Sequence, residues 1–360
     1  MNLTELETPC LLVDLAKTQD NIERMQAVCN AHGVQLRPHV KTHKMVEIAR
    51  RQLAAGATGL VCSKISEAEA LLPSGVRSIF IANSIVDPLK APRLRRLSQQ
   101  LDELVLAVTS HEQAEALNTV LSEADLSTDV LLAIDTGLAR EGSRSLEDAA
   151  KLADIISGFP RMRLKGIYTH EGHAYRCAPS DKEALARDVW ERLQQARKTI
   201  NPELEIWPGC SVTAAIMATL PDVESVRPGA YVFGDLSHCD RTLTMSTDQV
   251  SLLVVVTVVD KPTADLALID AGSKTFSSDR APDTGLFAIA ADGRDLSVSR
   301  LSEEHGFVTG EAVANLSVGE RIAFIPTHVC PVVNLADEVR VLDNDGSVYT
   351  WKVEARGAVQ

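Results

Sequence analysis

The sequence predicts an α/β fold, a (β/α)8 barrel of the TIM type, followed by a C-terminal all-β domain. Two observations indicate this fold class. Short apolar or β-branched runs alternate with longer amphipathic stretches eight times between residue 10 and about residue 235, and after residue 240 only short runs and turn residues remain. Because each parallel connection requires a crossover, eight successive units favour a parallel sheet closed into a barrel. A doubly wound open sheet is the alternative.

The eight short runs are predicted to be the strands of the barrel. They are Cys10–Leu15, Gln35–Lys41, Gly59–Ser63, Ser78–Ala82, Leu104–Val108, Asp129–Asp135, Leu164–Thr169 and Glu205–Cys210. A helical pattern follows each run, namely Ala16–His32, Met45–Ala55, Ser66–Leu72, Pro88–Gln99, His111–Glu123, Ser145–Ser157, Asp181–Ile200 and Thr213–Leu220. In the first of these, Ile22, Met25 and Cys29 show the i, i+3, i+7 spacing of an amphipathic helix.

The last third of the chain shows strand patterns separated by turn residues, without a long helical pattern. The predicted strands are Gln249–Asp260, Ala267–Asp270, Gly285–Ala290, Leu296–Ser299, Gly306–Thr309, Arg321–Ile325, Glu338–Leu342 and Val348–Val353. Turn sequences such as Asp292-Gly293 separate them. We therefore expect a barrel domain over residues 1–240 and an all-β domain over residues 241–360.

Composition and charge limit the partners. Of 360 residues, 45% are hydrophobic and 24% charged, which is typical of globular proteins. The 36 Lys and Arg residues against 49 Asp and Glu residues give a net charge of −13, which disfavours nucleic acid and anionic membranes. The apolar stretch Val250–Val259 is about half of the ~20 residues that a membrane helix needs. The seven Cys residues show no CxxC spacing, and the N-terminus shows no signal pattern, so we expect a reducing cytoplasm.

A lysine ends the second predicted strand, at the position where the chemistry of a barrel is expected. Lys41 lies in the segment Arg37-Pro38-His39-Val40-Lys41-Thr42-His43-Lys44. A desolvated lysine, or one beside other cations such as Arg37 and His39, loses its proton more easily and attacks carbonyl groups. This pattern suits an enzyme that forms a Schiff base, although a solvated surface lysine explains it as well.

Small residues occupy the end of the eighth predicted strand and the turn that leads into the next helical pattern. The turn reads Pro208-Gly209-Cys210-Ser211-Val212-Thr213 and precedes a helical pattern. Backbone N–H groups at such a turn hold phosphate in many barrels, while an ordinary strand–helix turn is the alternative. Together with Lys41, the turn favours pyridoxal 5'-phosphate, with its aldehyde at the lysine and its phosphate at the turn.

Two histidine patterns are candidates for metal or acid–base chemistry. His170-Glu171-Gly172-His173 is one residue too short for the HExxH motif and follows a strand, so it does not indicate a zincin. In His328-Val329-Cys330, the imidazole and thiol lie two residues apart and share one side if the segment is extended. Such a pair suits zinc, although a buried Cys beside a His is the alternative.

Several segments resemble those of a known family. Thr8-Pro9, Leu12-Val13-Asp14-Leu15, Asn21-Ile22 and the block at residues 37–44 resemble fold-type III pyridoxal-phosphate enzymes, which share the alanine-racemase-like barrel and a C-terminal β domain. Within this group the chain is most similar to the D-threonine aldolase/D-serine dehydratase family. The resemblance covers essentially the whole chain. The lysine block and His328-Val329-Cys330-Pro331 are its specific parts.

The resemblance implies roles for individual residues. Lys41 matches the Schiff-base lysine, and Arg140 in Asp135–Gly142 matches the arginine that faces the pyridine nitrogen. His328 and Cys330 match the ligands of a divalent metal, which is Zn, or Mn/Mg, and His170 or His173 serves as the base. Cofactor contacts are expected at Lys41, Arg140, His170, Ser211, Val212, Thr213 and Tyr231. Many relatives read GGGT at the phosphate loop, so the departure here leaves the phosphate contacts open.

The resemblance also implies the reaction. It indicates a lyase that cleaves D-configured β-hydroxy-α-amino acids to glycine and an aldehyde, as D-threonine aldolase does. Dehydration to a 2-oxo acid and ammonia, as by D-serine or 3-hydroxy-D-aspartate dehydratase, is the alternative, and Cys330 and the Thr169-His170-Glu171-Gly172 sequence favour it. An amino-acid racemase is a further alternative, and residues 241–360 argue against a non-catalytic cofactor-binding protein. We expect a homodimer that acts on small D-amino acids.

Overall fold

The computed structural model describes residues 3–360 and divides into two compact units. The α/β unit comprises residues 23–41, 46–229 and 358–360. The β unit comprises the residues up to 22, residues 42–45 and residues 230–357. The division into domains at residue 240 stays a prediction, whereas the units observed here change at residue 230.

Most strands and helices overlap the predicted runs, but the second run is a strand only at Gln35–Leu36 and not up to Lys41. The strands are β1 Cys10–Asp14, β2 Gln35–Leu36, β3 Leu60–Cys62, β4 Ser78–Ile81, β5 Glu103–Val108, β6 Thr128–Ala133, β7 Met162–Tyr168, β8 Glu205–Trp207, β9 Ser225–Val226, β10 Leu252–Thr263, β11 Leu266–Ile269, β12 Ala288–Ala290, β13 Ser297–Leu301, β14 Gly306–Thr309, β15 Arg321–Pro326, β16 Glu338–Leu342 and β17 Val348–Lys352. The α-helices are α1 Leu15–His32, α2 Val46–Ala55, α3 Ile65–Leu71, α4 Ala91–Ser98, α5 His111–Ala124, α6 Leu146–Ser157, α7 Lys182–Ile200, α8 Ala214–Met217, α9 Ser273–Phe276 and α10 Val329–Leu335.

Parallel strands form the α/β unit, so the predicted α/β class is confirmed. Strands β3 to β8 pair in chain order in one parallel sheet, and β2 pairs in parallel with β9. A parallel bridge between His39 and Val61 continues the pairing from the β2 side towards β3. Aromatic rings fill the interior, where the centroid of the Phe80 ring lies 5.2 Å from that of Tyr168 and 5.8 Å from that of Trp207.

One strand prediction is wrong and one strand was missed. Cys10–Leu15 was predicted to be the first barrel strand, but β1 pairs antiparallel with β10 and parallel with β16 inside the β unit. The last parallel strand is instead β9, Ser225–Val226. A buried apolar run is compatible with either kind of sheet, and two residues are too few to show a strand pattern.

The β unit contains a closed antiparallel barrel, which confirms the predicted all-β C-terminal domain. Strands β10, β11, β14, β13, β12 and β15 pair in a closed ring, and β1, β16 and β17 extend the sheet from β10. The inward residues of β10, including Val254 and Val256, are fully buried. The short helices α9 and α10 of this unit were not predicted.

Serine side chains begin two helices of the α/β unit. The Ser110 hydroxyl accepts a hydrogen bond from the backbone N–H of Gln113 at 3.2 Å, and the Ser145 hydroxyl accepts one from that of Asp148 at 3.0 Å. Such caps satisfy N–H groups that lack a partner within the helix. They explain why α5 and α6 begin within one residue of the predicted positions. Within residues 3–360, no helix has the length and apolar character that crossing a membrane requires.

Candidate active site

Lys41 lies in a single turn of 3-10 helix, Val40–Thr42, just after β2. It is half-buried, and its backbone N lies 3.5 Å from Nδ1 of His39. Arg37, which was expected beside it, is engaged elsewhere. The Arg37 guanidinium donates to Glu103 at 3.0 Å and lies over the Trp207 ring, 4.5 Å from its centroid. Arg37 is therefore not available for the role expected from the sequence, which is to favour loss of the proton from Lys41.

His170 follows β7, and its tautomer is defined by a hydrogen bond. Nδ1 of His170 bonds to the carbonyl oxygen of Gly209, so Nδ1 carries the proton and Nε2 is the acceptor. Burial, followed by the positive charge of Lys41, lowers the pKa of His170 to about 3. The ring is therefore neutral at physiological pH, and Lys41 and His170 belong to the same site.

His173 lies against the segment that carries the predicted arginine. A Cβ atom at Gly137 would lie 3.3 Å from Nε2 of His173, and Gly137 adopts a φ of +131°. Burial lowers the pKa of His173, although the ring is only half-buried. Nδ1 of His173 is buried without a hydrogen-bond partner in the part of the chain that the structure describes. Both histidines thus remain candidates for the base.

Arg140 lies in the loop that follows β6, at one wall of a cleft that also contains His170. The Asp135 carboxylate accepts the backbone N–H groups of Gly137 and Ala139, each at 3.0 Å, and so fixes the loop. The Arg140 side chain is 52% exposed and pairs with Glu141 at 2.8 Å. The cleft is lined by Ala133, Ile134, Asp135, Leu138, Arg140, Glu141, Tyr168, Thr169 and His170.

The turn Pro208–Thr213, which we call the 208–213 loop, is held by a residue that the sequence analysis did not assign. The buried Glu171 carboxylate accepts the N–H of Gly209 at 3.1 Å and the hydroxyl of Thr213 at 2.8 Å. Burial raises the pKa of Glu171. The Ser211 hydroxyl oxygen accepts the N–H of Gly229 at 3.0 Å, and Val212 is buried. Phosphate contacts by these loop residues stay a prediction.

Two further buried polar residues at this site were missed. The Arg227 guanidinium donates to the carbonyls of Thr169 and Trp207, and burial lowers its pKa to about 10. Its Cζ lies 5.2 Å from the centroid of the Tyr168 ring. Burial raises the pKa of Tyr168 well above its ordinary value, and its hydroxyl lacks a hydrogen-bond partner among residues 3–360. The sequence did offer a sign of Arg227, because a charged residue between Val226 and Pro228 interrupts an apolar run.

Tyr231, the remaining predicted cofactor contact, lies in the β unit. It is buried within the 3-10 turn Ala230–Val232. Its contact with a cofactor stays a prediction.

His328 and Cys330 meet in the β unit, but not on an extended segment as predicted. His328 is the N-cap of α10 and Cys330 lies in the first turn of this helix. Burial alone would lower the pKa of His328, but its hydrogen bonds to Cys330 and Asp279 and the charges of Cys330 and Asp235 raise it to about 10. The two side chains therefore contact each other because a helix begins between them.

Two carboxylates support this pair. Oδ2 of Asp279 lies 2.7 Å from Nδ1 of His328. The buried Asp235 accepts the N–H of Val329 at 3.1 Å and pairs with His238 at 2.7 Å, which anchors the start of α10. Within residues 3–360, no three His, Cys, Asp or Glu side chains are grouped to hold a metal ion. The metal prediction thus depends on two ligands.

Comparison with known proteins identifies similar chains. Residues 13–237 match the family model for the alanine racemase N-terminal domain, and residues 251–342 match the putative serine dehydratase domain. A D-threonine aldolase from Arthrobacter sp is 31% identical over 366 residues, which cover 99% of this chain and 94% of the relative. A D-threo-3-hydroxyaspartate dehydratase from Delftia sp. is 32% identical, with 97% of this chain and 98% of the relative covered.

A solved structure extends the similarity to the fold. The crystal structure of D-threonine aldolase from Filomicrobium marinum superposes with a TM-score of 0.90 at 27% sequence identity. It covers 99% of this chain and 98% of its own. Both reaction types named for these relatives are thus found on closely similar chains.

Proposed function

Because the chain belongs to the alanine racemase N-terminal domain family and also carries a serine-dehydratase-type domain, we propose that it is a pyridoxal-phosphate-dependent lyase of D-β-hydroxy-α-amino acids. We propose retro-aldol cleavage to glycine and an aldehyde as its reaction. The single observation that carries the proposal is that half-buried Lys41 at a strand end shares its site with neutral His170. Relatives of both reaction types support the lyase class.

The α/β unit fits pyridoxal phosphate in the chemistry of its donors. Lys41 offers an amine, the 208–213 loop offers small residues, and the buried Tyr168 hydroxyl lacks a protein partner among residues 3–360. A buried polar atom without a partner is costly unless a ligand satisfies it. When bound, the cofactor supplies an electron sink for charge that develops on the substrate. Arg140 is the proposed partner of its ring nitrogen, and Arg227, which is buried, is the second candidate.

Of the two histidines, we propose His173 as the base that accepts the proton of the substrate β-hydroxyl. A general base works best with a pKa near the working pH, and a pKa of about 3 makes Nε2 of His170 a weak acceptor. His173 is only half-buried and keeps more of its basicity. His170 then holds the Gly209 carbonyl through Nδ1–H and stays uncharged beside Lys41.

We propose His328 and Cys330 as the ligands of a divalent metal, which is Zn, or Mn/Mg. An imidazole and a thiol form a donor set suited to zinc, and the Asp279 carboxylate orients the imidazole as second partners of metal-bound histidines do. Two protein ligands leave coordination positions for oxygen ligands. When bound, the metal supplies Lewis acidity towards such an oxygen.

Dehydration to a 2-oxo acid and ammonia is the second candidate function. A Cys as the proposed second ligand and the Thr169-His170-Glu171-Gly172 sequence support it. So does the match of residues 251–342 to a putative serine dehydratase domain. A racemase is the less favoured alternative, because it needs a second base that we do not assign.

A product assay separates these reactions. The purified enzyme is incubated with D-threonine, D-serine and 3-hydroxy-D-aspartate, with and without a chelator. Glycine and an aldehyde support the aldolase, whereas ammonia and a 2-oxo acid support the dehydratase. Interconversion of D- and L-enantiomers without either product pair would replace the lyase proposal with a racemase.

We further propose that the enzyme is a cytoplasmic homodimer that acts on small molecules and binds neither nucleic acid nor membrane. The support is the family resemblance, the net charge of −13 and the Cys usage. Light scattering of the purified protein measures its mass, and a monomer at micromolar concentration would contradict the dimer.

A further inference from the structure

Glu171 is a fully buried carboxylate that the proposed chemistry does not use. It follows His170 directly and is 0% exposed. Burying a carboxylate is costly unless hydrogen bonds or charges compensate it. The contacts of this carboxylate must therefore compensate the free energy that its burial costs.

The carboxylate bridges the two ends of the 208–213 loop. Its Oε2 accepts the N–H of Gly209, and its Oε1 accepts the hydroxyl of Thr213. Gly209 is held from its other side as well, because its carbonyl bonds to Nδ1 of His170. The adjacent residues His170 and Glu171 thus bind the carbonyl and the N–H of Gly209, and Glu171 also binds Thr213 at the other end of the loop.

Close packing leaves this loop little freedom to rearrange. A Cβ atom at Gly209 would lie 2.5 Å from Cζ of the buried Arg227 guanidinium. The Arg227 charge also favours the ionised form of Glu171. The cation thus offsets part of the cost of a buried carboxylate beside the 208–213 loop.

These contacts hold the two ends of the loop, Gly209 and Thr213, and leave the residues between them for a ligand. The Gly209 N–H and the Thr213 hydroxyl are directed at Glu171, so neither is directed at a phosphate. Ser211 and Val212 lie between them and are the residues expected to receive the anion. The Thr213 hydroxyl is engaged by Glu171, while the expected contact of Thr213 with the cofactor stays a prediction.

We infer that Glu171 is a positioning residue that holds the 208–213 loop in the shape that receives the cofactor phosphate. This inference rests on the proposed function, in which the loop binds the phosphate of pyridoxal phosphate. It concerns the phosphate end of the cofactor only. Binding of the ring and aldehyde should depend little on Glu171.

Pyridoxal, which lacks the phosphate, provides the test. Wild type, Glu171→Gln and Thr213→Val are purified as holoenzymes, their cofactor content is measured, and the cofactor is removed. Dissociation constants for pyridoxal phosphate and pyridoxal are then measured by absorbance titration. We expect Glu171→Gln to weaken pyridoxal phosphate binding by about 10-fold or more and pyridoxal binding by less than about 2-fold, because one anchoring hydrogen bond is lost. Thr213→Val should show the same selectivity with a smaller loss.

Glu67→Gln is the matched control. Glu67 is also a buried carboxylate of the α/β unit, and it accepts the N–H of Ser63 at 2.6 Å in the turn after β3. We expect this variant to bind both ligands as wild type does. Circular dichroism and the melting temperature of each variant separate a folding defect from a binding defect.

Two results would overturn the inference. Unchanged pyridoxal phosphate affinity in Glu171→Gln would show that the carboxylate does not shape the loop. Equal losses for the two ligands would show a general packing role. A wild type that binds both ligands equally well would instead refute the phosphate role of the loop, and with it this part of the proposed function.

Discussion

The position of Lys41 in the backbone brings its side chain close to His170. The side chain comes from a 3-10 turn at the end of a two-residue strand, next to a histidine that its charge helps to keep neutral. The residue type and its position after a strand were visible in the sequence. Its proximity to His170, which lies 129 positions later in the chain, was not visible in the sequence.

We expect Lys41 to form the covalent link to the cofactor. Borohydride should trap pyridoxal phosphate on Lys41 in the wild type, and Lys41→Ala should lose trapping and more than about 10³-fold of activity, since the nucleophile is removed. Mass spectrometry of peptides locates the label. Lys64→Ala, which alters a lysine after β3, is the control and should remain labelled. A label on any lysine other than Lys41 would contradict the assignment.

At the scale of elements, hydrogen bonds to one carboxylate at the start of β5 connect β5 with β4, β7 and the segment after β2. Glu103, the first residue of β5, receives hydrogen bonds from Arg37 at 3.0 Å and from Lys165 at 2.5 Å. Ser78, the first residue of β4, donates to it as well. Burial alone would raise the pKa of Glu103, but these partners lower it to about 2.

This cluster should make stability depend on acid. A folded-state pKa of about 2, against 4.5 ordinarily, adds stability that is complete above pH 4.5 and is lost as the pH falls towards 2. Glu103→Gln should therefore lower the free energy of unfolding by about 2 kcal/mol at pH 7, and by much less near pH 2. Urea denaturation at several pH values measures this. Asp102→Asn, which alters the exposed pair with Arg77, should change stability little, and a pH-independent loss in Glu103→Gln would contradict the account.

Helix α10 belongs to the β unit, and its start places the proposed metal ligands His328 and Cys330 together. Asp279→Asn should weaken zinc affinity by about 10- to 100-fold, since the imidazole loses the carboxylate that orients it. Metal content by mass spectrometry and a competitive zinc titration measure the loss. Asp283→Asn, which alters the exposed pair with Arg241, should bind zinc normally. Equal affinity in both variants would remove Asp279 from the metal site.

At the scale of the whole molecule, the proposed cofactor and metal residues belong to different units. Lys41 and the 208–213 loop lie in the α/β unit, and His328 and Cys330 lie in the β unit. Chelation should therefore abolish turnover while the absorbance of the bound cofactor stays unchanged. Cys330→Ala should behave like chelation, and Cys330→Asp should retain part of the activity with Mn²⁺, which carboxylate suits better than thiolate. Full turnover by metal-free enzyme would contradict the metal proposal.

The sequence by itself determined the class of the fold and most elements. Hydrophobic periodicity located the parallel strands from Gln35 to Trp207 and the strands after residue 250, because burial on one face leaves a local pattern. It also indicated Lys41, His170 and the 208–213 loop, because active-site residues of barrels follow the strands. The family resemblance, which the matched domains confirm, came from such local blocks.

The tertiary structure decided everything that depends on pairing between distant residues. It moved β1 into the antiparallel sheet and added β9, because strand partners are chosen by neighbours far along the chain. It also revealed Glu171, which bonds to residues 38 and 42 positions away. A buried carboxylate, arginine or tyrosine acquires its role from the atoms that surround it. Those atoms are brought together only when the chain folds, so no local pattern of sequence contains them.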